Sequence, residues 1–148
     1  MSAHPHPLKY LYPGWYAIVM GLAGLALAWH RAVPLMGEAA AGAALVMGIG
    51  ASLVFVALAV ATLVRVQRYP EAWAEDRKHP VRHTFIATLP ISLMLLPTVA
   101  VAVGLRGIVI DLMWWAGSLA QVFVTVWVLA RWWRGNQAGG LVWAGITP

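Results

Sequence analysis

Residues 77–105 read "RKHPVRHTFIATLPISLMLLPTVAVAVGL". A basic segment passes directly into an apolar run long enough to cross a bilayer, and that run carries Pro90 and Pro97. Proline in a helix interior removes a hydrogen bond and clashes with the turn behind it. The stretch therefore predicts a membrane helix that is broken or bent at chosen points. Pro80, after His79, occupies the expected start, because proline at the first helical position loses only an N–H that had no partner. Pro90 and Pro97 are read as interior positions that free the carbonyls of Ile86 and Leu93 on one face. Thr84, Thr88, Ser92 and Thr98 fall within about 120° on roughly the opposite face. Freed backbone groups in lipid need neighbouring helices, hydroxyls or cavity water as partners. The stripe thus lines a wet path or lies buried among other helices.

The rest of the 148-residue chain is of the same kind: 61% hydrophobic and 10% charged, against about a quarter charged in soluble domains. Four charge-free runs, 10–30, 39–64, 83–105 and 112–130, each reach roughly the 20 residues a transmembrane helix needs. They predict an all-α integral membrane protein with helices at about 11–31, 39–66, 80–105 and 109–133, arranged as two hairpins. None of the runs alternates as a barrel strand would. Residues 1–9 are expected as a cytoplasmic tail, and 139–148 as the start of a fifth helix. The tail's "HPHP" could hold a metal weakly, but is read as plain tail. "ALA" at 26–28 loosely fits a cleavage signal, but the run is long and opens with Pro13-Gly14.

The net charge of +5 is assigned to orientation, not to nucleic acid. Lys9, Arg65, Arg68, Arg77, Lys78, Arg82, Arg131 and Arg134 fall on one side, and Arg31 and Arg106 on the other. Basic residues accumulate on the cytoplasmic side, which predicts a cytoplasmic N-terminus and a multi-pass protein of the inner (plasma) membrane. Trp29, Trp114, Trp115, Trp132 and Trp133 at run ends suit the interface.

In the first run, Gly14, Ala17, Gly21, Gly24 and Ala28 share one face, as do Ala41, Ala44, Gly48 and Ala51 in the second. Such faces permit close helix packing or leave room for a solute. No ionisable side chain lies near a bilayer midplane, which argues against proton-coupled or cation carriers. His30 and His83 are expected on opposite sides of the membrane, so they do not form a haem site. The chain has no Cys, and no nucleophile–base pair or ligand cluster is evident. No catalytic residue, metal or cofactor is assigned. A path for a neutral or anionic solute remains, or a structural membrane subunit with no path of its own.

"YPGWYAIVMGLAGLALAW", "RYPEAWAEDRKHPVRHTFIATLPISLMLL", "WVLARWWRG" and "GITP" resemble the tellurite-resistance/dicarboxylate transporter family (TehA-like), with its plant slow anion channel and fungal malate and sulfite permease relatives. "HPV…F…LP", residues 79–90, is the most specific piece. The resemblance implies the first two of five hairpins, the N-terminal part of a ten-helix protein whose inner, odd-numbered helices enclose a pore. It implies small anions as the solute, a homo-oligomer (a trimer in bacterial members), and runs one and three as pore walls. On that mapping Gly14, Gly21, Gly24, Thr84, Thr88 and Ser92 are the pore-lining candidates, and Pro90 and Pro97 the kinks. The family's aromatic gate lies on a ninth helix, beyond this chain.

Overall fold

The structure, a computed structural model, describes residues 11, 13–78 and 82–137. Among them there is no strand. The expected tail and the expected fifth helix lie outside these residues, as does Pro80. Four helices are long and apolar enough to cross a membrane, and they form two hairpins.

The first hairpin opens with a 3-10 turn, Pro13–Tyr16, that runs into α1, Ala17–Met36. A single residue, Gly37, joins α1 to α2, Glu38–Arg68. Gly37 has φ +61°, a conformation that costs a side-chain-bearing residue but not glycine. Its N–H donates to the Val33 carbonyl at 2.8 Å, closing the last turn of α1. Glu38 in the first turn of α2 and Arg65 and Arg68 in its last turn match the helix dipole at both ends.

At the end of α2 the chain makes a short helix, α3, Pro70–Lys78. By sequence this stretch reads as a charged loop. Arg65 donates to Asp76 Oδ2 at 2.7 Å, and the two side chains are almost completely buried. The Arg65 guanidinium also reaches the Ala72 carbonyl at 3.5 Å. Breaking a buried pair by removing one partner costs about 3–5 kcal/mol, so this contact holds α3 against α2.

The second hairpin is α4, Thr88–Ala102, and α5, Ile108–Gln137. A 3-10 segment, Arg82–Ala87, leads into α4. Pro90, expected as a kink, is the third residue of α4, and the backbone changes from 3-10 to α just before it. Pro97 alone is interior. Gly104, at φ +92°, ends the element, and the Leu105 N–H reaches back to the Ala100 carbonyl at 2.9 Å, as in a Schellman cap.

The core lies where three helices meet: Val19, Ala23 and Ala26 of α1, Ala51 of α2, and Leu96 and Val99 of α4. Its members are small or medium-sized, which lets the backbones approach. α5 packs on α4. Elsewhere large apolar side chains stand exposed, among them Leu53, Val56 and Leu63 on α2 and Leu119, Phe123 and Val126 on α5. Lipid solvates such surfaces, while each helix satisfies its own backbone.

Candidate functional site

α1 has two faces of opposite character. Tyr16, Val19, Ala23 and Ala26 are buried. Ala17, Gly21, Gly24 and Ala28 are exposed, about 150° round the axis at 100° per residue. A Cβ placed on Gly21 or Gly24 would meet no atom within 4 Å. Arg31, also exposed, continues the same spacing. Gly14 lies in the 3-10 turn and is half-buried. Exposed Ile18 and Leu25 border the small-residue face on the side away from α4.

The corresponding face of α2 is exposed at Ala41 and covered further along. Ala44 and Ala51 are buried, and a Cβ on Gly48 would come within 2.9 Å of Val99 Cγ1. Here the small residues let α4 approach.

The hydroxyl stripe of α4 divides. Thr88 Oγ1 lies 2.7 Å from the Pro13 carbonyl and 2.6 Å from that of Phe85. Ser92 Oγ lies 2.7 Å from the Thr88 carbonyl and 3.2 Å from that of Tyr16. Each hydroxyl has one proton to share between its two acceptors. Ser92 is fully buried and Thr88 half-buried. Both tie the start of α4 to the 3-10 turn preceding α1. Thr98 is turned about 80–120° from them and is exposed; its hydroxyl donates to the Met94 carbonyl of its own helix at 2.8 Å. The Thr84 side chain lies outside the described residues.

Tyr16 joins three helices at this end. Its backbone carbonyl faces Ser92, its hydroxyl pairs with Thr62 Oγ1 at 3.1 Å, and its ring meets Phe55 of α2 edge-on, with centroids 5.8 Å apart. Sequence reasoning missed this junction, although a Tyr just inside a Pro-Gly turn and a Thr near the far end of the next span were both visible. It also missed Gly117. A Cβ there would lie 3.0 Å from the Met94 nitrogen and 3.2 Å from the Pro90 carbonyl oxygen. Gly117 is therefore where α5 and α4 touch backbone to backbone.

Among the described residues, no group of three His, Cys, Asp or Glu side chains could hold a metal ion. The arrangement offers a smooth, side-chain-poor strip along α1, with the Thr98 hydroxyl of α4 and Arg31 as exposed polar groups near its end. Such a surface can pass a solute or take another helix.

Comparison with known proteins bears on this surface. The profile described as voltage-dependent anion channel (SLAC1) matches residues 10–148. A curated relative, the tellurite resistance protein TehA homolog of Haemophilus influenzae, is 29% identical over 132 residues. That alignment takes in 89% of this chain but 38% of the relative.

Proposed function

This chain belongs to the voltage-dependent anion channel family, and we propose that its α1 and α4 form part of the wall of a conduit for small anions. One observation carries the reading: Gly21 and Gly24, on one face of α1, have open space where side chains would be, whereas on the small-residue face of α2 Ala44 and Ala51 are buried and Gly48 meets Val99 of α4. A helix that keeps two glycines where nothing touches them gains no packing from them within this chain. It does gain a strip without side-chain bulk. The acids of the chain are Glu38, Glu71, Glu75, Asp76 and Asp111, all away from the middle of the spans, so the strip has no fixed negative charge to repel an anion.

On this reading Gly21 and Gly24 line the path, with Gly14 at its start and Thr98 on the α4 side; Thr84 is kept as a candidate from the sequence alone. Thr88 and Ser92 brace the wall from behind. Weak, repeated contacts suit conduction, because a solute must leave as readily as it enters. Monovalent anions and small dicarboxylates both fit this chemistry. The chain spans 38% of the TehA homolog, and two inner helices enclose no pore alone. On this reading further helices complete the conduit. A cytoplasmic N-terminus is favoured by the eight-to-two distribution of basic residues; a plasma-membrane location is part of the same proposal. Assembly as a trimer rests on family resemblance.

The test is the reversal potential of the purified natural gene product in a planar bilayer under a chloride gradient. The proposal requires a value near the chloride equilibrium potential, and a current reduced at least about tenfold by Gly24→Leu, which fills the strip. A cation-selective current, or full current through Gly24→Leu, would favour a structural role for the bare face.

A further inference from the structure

At the end of the bundle away from α3, the last turns of α1 and α4 border a cleft of about 610 Å³, which Arg31 at the end of the bare face enters. Its polar lining comes from His30 and Arg31 of α1 and Thr98 of α4, with Pro34, Val101 and Ala102 around them. We propose that Arg31 and Thr98 form an anion-recognition site at this mouth of the conduit, selective for small oxyanions, including carboxylates, over halides. The proposal rests on the conduit reading above.

The fold supplies the reason for a cation here. α1 and α4 both end at this mouth, at Met36 and Ala102. Helix C-termini carry partial negative charge, and Pro34 leaves the His30 carbonyl without its usual helical donor. Two carbonyl-rich ends would repel an approaching anion. Neither α1 nor α4 has a basic residue in its last turn; Arg106 and the starts of α2 and α5 lie at the same end, but Arg31 is the cation that lines the cleft itself. It is exposed and forms no ion pair among the described residues.

Arginine also suits a particular shape of anion. Its planar guanidinium presents paired donors that match two oxygens of a carboxylate or nitrate, a match that neither a halide nor a lysine ammonium reproduces. Thr98 stands on the opposite wall of the same cleft. Its proton, now on the Met94 carbonyl, is free to turn outward, because a hydroxyl rotates to suit its acceptor.

The experiment measures anion flux against concentration for the natural gene product in liposomes, with nitrate and chloride as probes. Arg31→Gln is expected to raise the half-saturating nitrate concentration about fivefold or more, with maximal flux within about twofold of wild type. Arg31→Lys is expected to hold the chloride value near wild type while the preference for nitrate falls. Thr98→Val, which leaves the charge in place, should shift nitrate by about twofold in the same direction. Arg106→Gln, at the same end but outside the cleft lining, should shift neither. Equal shifts from Arg31→Gln and Arg106→Gln would reduce the effect to general surface charge and overturn the site, as would unchanged half-saturation in both Arg31→Gln and Thr98→Val. If those variants behave like a conducting wild type, the site fails and the conduit stands. If the wild type passes no anion, the conduit reading fails and the site with it.

Discussion

Two faces of small residues look alike on paper and do opposite things. On α2, Ala44 and Ala51 are buried, and the Val99 side chain of α4 lies in the space a Gly48 Cβ would take. On α1, Gly21 and Gly24 have open space where their side chains would be. Spacing tells only that a face is small. What that face meets depends on how the helix is rotated among its neighbours, and this rotation is set by the buried Val19, Ala23 and Ala26 and by the Thr88 and Ser92 contacts to the first turn.

That difference is open to direct challenge. The largest effect is expected from Gly48→Leu, which forces a branched side chain into the α2–α4 contact. Overpacking of this kind costs about 1–3 kcal/mol and sometimes more, so thermal unfolding in detergent should show a clear loss of stability. Gly21→Leu should leave stability nearly unchanged while reducing anion flux. Equal destabilisation by the two would erase the contrast between the faces.

Gly117→Ala comes next. The Met94 side chain can move from the new methyl group, but the Met94 nitrogen and Pro90 carbonyl belong to backbone and cannot move without shifting α4. A loss of about 1–3 kcal/mol is expected, read as weakened association of α5 with α4, for example by faster proteolysis of the 103–107 turn. Unchanged cleavage would mean that the two helices can separate slightly at no cost.

The smallest effect belongs to Ser92→Ala. It removes a buried hydroxyl whose proton is shared by the Thr88 and Tyr16 carbonyls, and interhelical hydrogen bonds in membranes average about 0.6 kcal/mol. Stability should fall by about that amount, with anion selectivity unaltered. A change of selectivity without loss of stability would return Ser92 to the conduit surface.

How much of this could be read beforehand follows from where the information resides. The four spans were legible because charges bracket each apolar run, and the bilayer accepts few other lengths. The hairpin turn at Gly37 and the end at Gly104 are local signals of a familiar kind. α3 was not legible: "PEAWAEDRK" has the composition of a solvated loop, and its order depends on Asp76 meeting Arg65, eleven residues earlier. Pro90 looked interior because the expected helix was drawn from Pro80, and nothing in "RHTFIA" announces 3-10 geometry. The hydroxyl stripe was visible as an arc. Its division into bracing residues, Thr88 and Ser92, and an exposed one, Thr98, depends on where α1 sits. Gly117, a lone glycine before a serine, gave no hint that a second backbone would press on it.

The central claim is that the bare face of α1 borders an aqueous anion path. The chain has no cysteine, so single cysteines at Gly21, Gly24 and Ala28 can be compared with single cysteines at Ala44, Gly48 and Ala51 without background. The measurement is the rate of modification by a charged, membrane-impermeant thiol reagent in the reconstituted natural gene product, with and without a permeant anion. The account predicts modification of the α1 set, slowed by the anion and accompanied by loss of flux, and protection of the α2 set. An α1 set that reacts only with lipid-soluble reagents, or no faster than the α2 set, would contradict it.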